Sequence, residues 1–132
     1  MMGAGFVKAK LDEAWGFLRA AMEEFAKAGG DPVRVRDAAE KGWNAVVQAT
    51  EALIYALAGV RPMSHYERRV ALMDLERRRD DVRDLGLRDR YMARYKILRG
   101  EAFYEGIIDP EEIILEFERV KEYIEAIEKL VK

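Results

Sequence analysis

A chain of 132 residues, half of them apolar and 36% charged, holds enough material for one hydrophobic core and reads as a single domain over residues 1–132. The lack of cysteine excludes disulfides, thiolate nucleophiles and zinc–thiolate sites, and the single histidine, His65, excludes metal centres that need two imidazoles from one chain. No apolar run reaches membrane-spanning length and no signal-peptide pattern opens the sequence, so a soluble, cytoplasmic protein without membrane contact or cofactor is expected.

The net charge of −2 is unevenly spread: residues 61–99 carry 12 basic and 7 acidic groups, whereas residues 100–132 carry 4 and 10. A basic middle of this kind bears on any anionic ligand or nucleic acid. Asn44 and Gln48 are the only side-chain amides, and so few thermolabile residues among so many charges suggest a heat-adapted source.

From Phe6 to Ala28, Val7, Leu11, Ala14, Leu18, Ala21, Met22 and Phe25 fall on one helical face, and Gly29-Gly30 ends the run. The next helix, Asp31 to Gly59, organises the rest. Asp31 suits the N-cap, Pro32 the first turn and Gly59 a left-handed stop. Val35, Ala39, Trp43, Val46, Thr50, Leu53 and Leu57 form a large apolar stripe beside a small-residue stripe of Gly42, Ala45, Ala49, Ala52 and Ala56. Only Arg34, Asp37, Lys41, Asn44, Gln48, Glu51 and Tyr55 make a polar line. A surface helix has the reverse proportions, so this one is placed at the centre.

Pro62 blocks continuation and Ser64 to Glu67 offers a capping box for a third helix, whose apolar contribution is Tyr66, Val70, Leu72 and Met73. Its second half, Glu76 to Asp84, is nearly all charged and is expected to project into water or fray. A fourth helix spans about Leu87 to Tyr104, with Leu87, Tyr91, Tyr95, Leu98 and Ala102 on one face and Gly100 as a weak point. Asp109-Pro110-Glu111-Glu112 starts a fifth, which keeps Ile113, Phe117, Val120, Ile124, Ile127 and Val131 in register. The fold class is therefore all-α, a five-helix up-and-down bundle around a long second helix.

Three groups of residues bear on function. His65 has the side chain suited to proton transfer near neutrality, set against a plain solvated or capping role. Arginines from Arg68 to Arg99, interleaved with Tyr66, Tyr91 and Tyr95, form either a phosphate-binding surface or an ion-paired face in water. On the central helix Asn44, Gln48, Glu51 and Tyr55, flanked by apolar stripes, face either a ligand groove or an interhelical hydrogen-bond ladder.

Ala38–Ala45 (AAEKGWNA), continuing through Gln48, Glu51 and Leu53 to Ala58, resembles the second helix of HEPN-type domains, closest to the archaeal PaREP group. Ser64-His65 is similar to the Ser/Thr-His start of the next HEPN helix, and Phe103-Tyr104-Glu105-Gly106 followed by Asp109-Pro110 resembles the segment before the last PaREP helix. The resemblance implies a helical bundle that forms homodimers through apolar helical faces, is often encoded beside a nucleotidyltransferase, and in some members cleaves RNA without metal through an Arg, four to six residues, then His. Here Arg94 could supply the arginine, yet Arg99 and Gly100 stand where histidine is expected, and His65 follows Arg61 by too few residues. The expectation is a non-catalytic interaction module with a nucleotide or RNA groove at Asn44, Gln48, Glu51, Tyr55, Tyr91, Arg94 and Tyr95. The alternative is a metal-independent ribonuclease using Arg94 and His65.

Overall fold

Each predicted helix boundary has a backbone cause that can be checked in the computed structural model, which describes residues 3–132. Helix α1 spans Ala4–Lys27 and α2 spans Pro32–Ala58. Asp31 caps α2 by accepting from the Val33 amide at 3.0 Å, and Gly59, at φ 69°, ends it in the left-handed region. Helix α3 spans His65–Arg78, where Ser64 accepts from the Glu67 amide at 3.1 Å. Glu67 reaches back to the amide of Met63 rather than to that of Ser64, a capping box shifted by one residue.

The charged stretch expected to fray does not. Arg79 breaks α3 with an extended backbone, and Asp80–Asp84 forms a short α4 that drives Val82 fully into the core. Helix α5 spans Leu87–Arg94 and runs on without interruption into a π-helical segment, Tyr95–Tyr104. Helix α6 spans Pro110–Val131, with Asp109 accepting from the Glu111 and Glu112 amides at 3.0 and 3.4 Å. The regular structure of the described residues is thus all helical, with six α-helices and one π segment in place of the five helices expected. The extra pieces come from the break at Arg79 and from the change of winding at Tyr95.

The π winding is held at its end by a residue from another helix. Nε of Arg36 donates to the Phe103 carbonyl at 2.8 Å and Nη2 to that of Tyr104 at 3.0 Å, satisfying acceptors that a helix terminus leaves free. Gly106, at φ 71°, then turns the chain toward α6 over the same guanidinium.

Helix α2 lies at the centre, packed along α1 and also against α6, the π segment, α3 and α5. Val35, Ala39, Trp43, Val46, Thr50 and Leu53 are buried, as are Gly42, Ala45, Ala49 and Ala52; Leu57 and Ala56, near the end, are half-buried. A Cβ on Gly42 would lie 2.8 Å from the ring of Phe117, so α6 approaches there only because the side chain is missing. The girth of α2 is covered by helices of the same chain. Two further corrections concern α3, where Tyr66 is 63% exposed and Leu75, not anticipated, is buried. In α6 the expected stripe is buried apart from the half-buried Val131, and Glu116 and Tyr123 join it. Among the described residues no helix is long and apolar enough to cross a membrane.

Candidate ligand-binding site

Three elements meet at a cavity of about 330 Å³. From α2 come Glu40, Trp43, Asn44 and Val47, one helical face by their spacing; from the first turn of α3 come His65 and Arg68; from the π segment come Tyr95, Arg99 and Tyr104. The π winding is what gathers the last three. In an α-helix Tyr95 and Tyr104 would point to opposite sides, whereas bonding five residues along stacks positions four and five apart.

His65 is held on three sides. Its ring lies flat on Tyr95, centroids 3.7 Å apart at 12°, with the edge of Trp43 at 6.2 Å. Its Nδ1 meets the hydroxyl of Tyr91 at 2.8 Å, and the same hydroxyl accepts from Nε of Arg68 at 3.0 Å. Because Arg68 can only donate, the Tyr91 proton is free to point at Nδ1. That geometry suits a neutral ring with its proton on Nε2, a nitrogen that makes no hydrogen bond among the described residues. Burial, and then the charges of Arg68 and Arg69, hold the His65 pKa below its ordinary value, which favours this neutral form. Burial likewise raises the Tyr91 pKa, so its hydroxyl keeps the proton it donates.

Behind the cavity the network continues inward. Arg68 Nη1 reaches Glu51 at 3.3 Å, Lys10 of α1 reaches Glu51 at 3.4 Å, and Lys10 donates to Gln48 at 2.9 Å. The polar line of α2 therefore divides. Gln48 and Glu51 form the interhelical ladder, Asn44 faces the cavity, and Tyr55 packs at a tilt against Phe6, centroids 4.6 Å apart, outside the cavity. Arg99 is steered by Glu40 at 3.4 Å and by the Tyr104 hydroxyl at 3.1 Å.

Arg94 lies elsewhere. Its Nε and Nη2 donate to the two oxygens of Glu116 at 2.7 and 3.2 Å, with Arg94 9% and Glu116 5% exposed. Arg61 sits over the Phe6 ring at 4.6 Å. Neither arginine shares the cavity with His65; Arg68 and Arg99 do. Arg68 was legible as the i+3 neighbour of His65 on one helix face. Arg99 belonged to the arginine set, but its place beside His65, like that of Tyr104, was not legible, since nothing in their spacing announces π winding.

The arginine-rich middle also divides. Arg79 pairs with Asp81 at 2.8 Å and Arg83 with Asp80 at 3.0 Å on exposed surface, which is the ion-paired face. The cavity gathers a different set: His65, the guanidinium of Arg99 beside its partner Glu40, the amide of Asn44, and the aromatic side chains of Trp43, Tyr95 and Tyr104. Such a site can take an acceptor-rich anionic group beside a planar ring. It is poorly arranged to remove a proton, because the one basic lone pair of His65 is spent on Tyr91. No protein-family model, curated protein or solved structure matches this chain.

Proposed function

We propose that this protein is a non-catalytic helical interaction module, HEPN-like in kind, whose cavity binds a nucleotide or an RNA end. The reading rests on one observation: His65, held through Nδ1 by the Tyr91 hydroxyl, lines an aromatic-walled cavity together with Arg99 and Asn44, an arrangement that suits a neutral ring donating through Nε2. Phosphate oxygens would take the donors of His65 and Arg99, and the base would lie against Tyr104 or the edge of Trp43. A nucleotidyltransferase, a producer and consumer of such ligands, is the partner this reading favours, and a second copy of the chain is its expected companion.

The test is a titration with adenosine monophosphate and with a short single-stranded RNA, followed by indole fluorescence in a Trp15→Phe background, where Trp43 is the remaining indole. Saturable quenching, lost in Arg99→Gln and His65→Ala, is expected. No change up to millimolar nucleotide and micromolar RNA would remove the proposal. Incubation with labelled RNA separates the alternative: cleavage that His65→Ala abolishes would make the protein a ribonuclease, working through His65 and Arg68 rather than Arg94.

A further inference from the structure

A second recess, about 210 Å³, lies between α3 and the start of α5 and shares no residue with the aromatic cavity. Tyr66, Arg69, Val70 and Met73 line it from one face of α3, and Arg88 enters from the first turn of α5. Arg69 sits over the Tyr66 ring at 5.3 Å. Arg88 carries a buried Nε with no hydrogen-bond partner. The neighbouring acid does not serve it: Glu76 accepts from the backbone amide of Arg88 at 3.1 Å and so caps α5 instead.

Two guanidiniums line one recess, and neither has a carboxylate within 4.0 Å among the described residues, a condition shared with most of the chain's arginines; the covered, unpartnered Nε of Arg88 is what sets this pair apart. Leaving a covered donor without an acceptor is unfavourable, as is placing like charges beside the apolar walls of Val70 and Met73. Both costs vanish when an anion enters. Arginine has donors only, so the complement must offer acceptors only. A carboxylate's two oxygens lie in one plane and match a single fork best, whereas a tetrahedral phosphate presents oxygens to two forks at once.

We propose that Arg69 and Arg88 form a second oxyanion site, built for a phosphate group. The phosphate has two sources, free inorganic phosphate or a phosphodiester of a nucleic-acid strand. The site goes beyond the nucleotide reading and stands without it, because none of its residues belongs to the aromatic cavity.

The experiment titrates the full-length, ¹⁵N-labelled chain with inorganic phosphate at constant ionic strength and follows the Arg88 Nε–H resonance. A saturable shift is expected that an equal concentration of chloride does not give. Arg69→Gln and Arg88→Gln should each weaken it about tenfold, while Arg99→Gln, in the other cavity, leaves it within about twofold. Should Arg88→Gln fail to fold, the half-buried Arg69→Gln decides alone. An oligoribonucleotide arm separates the sources: weakening by both Arg88→Gln and Arg99→Gln marks a strand spanning the two recesses, and no weakening by Arg88→Gln marks free phosphate. A linear, unsaturable shift, or unchanged phosphate affinity in Arg69→Gln, overturns the proposal.

Discussion

Tyr91 and Tyr123 are both fully buried against the central helix, and both place a hydroxyl where it must find a partner. Tyr123 meets Thr50 at 2.7 Å, and Thr50 in turn donates to the Val46 carbonyl at 2.7 Å, so that chain of bonds ends inside α2. Tyr91 meets His65 and Arg68, and those two side chains open onto the cavity. The same group in the same degree of burial thus serves two ends. One is closed and joins α6 to α2, while the other anchors a side chain that lines the cavity. The two networks differ in where they terminate, not in how deeply the tyrosines are buried.

The closed region should break hardest. Glu116→Ala leaves the Arg94 guanidinium buried without its carboxylate and is expected to cost about 3–5 kcal/mol in urea unfolding, with nucleotide affinity of the remaining folded protein unchanged. Replacing both partners, Arg94→Met with Glu116→Leu, should restore most of that stability. If it does not, the pair has a role beyond mutual neutralisation.

The tyrosines themselves sharpen the contrast at smaller scale. Tyr123→Phe should cost about 1 kcal/mol and leave binding untouched, since Thr50 keeps its bond to Val46. Tyr91→Phe should cost a similar amount but also release His65 Nδ1, lowering nucleotide affinity about tenfold and moving the His65 titration. Equal binding in the two variants would erase the distinction.

The smallest effect is in pH. Because the His65 pKa is lowered in the fold, the unfolded chain takes up a proton near the ordinary value of 6.5 while the folded chain does not. Stability is then greatest above that value, falls as the pH drops through it, and levels off once the folded ring is protonated as well. With a single histidine in the chain, His65→Gln should flatten the melting temperature between pH 7.5 and about 5.5. A slope that survives the substitution belongs to carboxylates.

Much of the fold could be read before any coordinates, because its signals are local. Asp31, Pro32 and Gly59 bound the central helix, and its two stripes are buried where their spacing placed them, apart from the half-buried Ala56 and Leu57 near its end. The site was legible only in pieces. Asn44 and Tyr95 line the cavity, while Gln48, Glu51 and Tyr91 stand behind it and Tyr55 and Arg94 face other parts of the molecule. An α-helical period places Tyr95 correctly and Tyr104 on the wrong side, and the winding that corrects it depends on Arg36, more than sixty residues upstream. Charge content could not show that Glu116 claims Arg94, or that Glu76 caps a backbone and leaves Arg88 unpaired. Such choices are made by tertiary neighbours.

The account depends most on His65 standing neutral, with its proton on Nε2 and that proton turned to the cavity. A long-range ¹H–¹⁵N correlation spectrum at pH 7 reads this directly, followed by addition of adenosine monophosphate. The prediction is an unprotonated Nδ1, a protonated Nε2, and a saturable shift of Nε2 together with the Trp43 indole. A proton on Nδ1, or an Nε2 resonance unmoved by millimolar nucleotide, would contradict it.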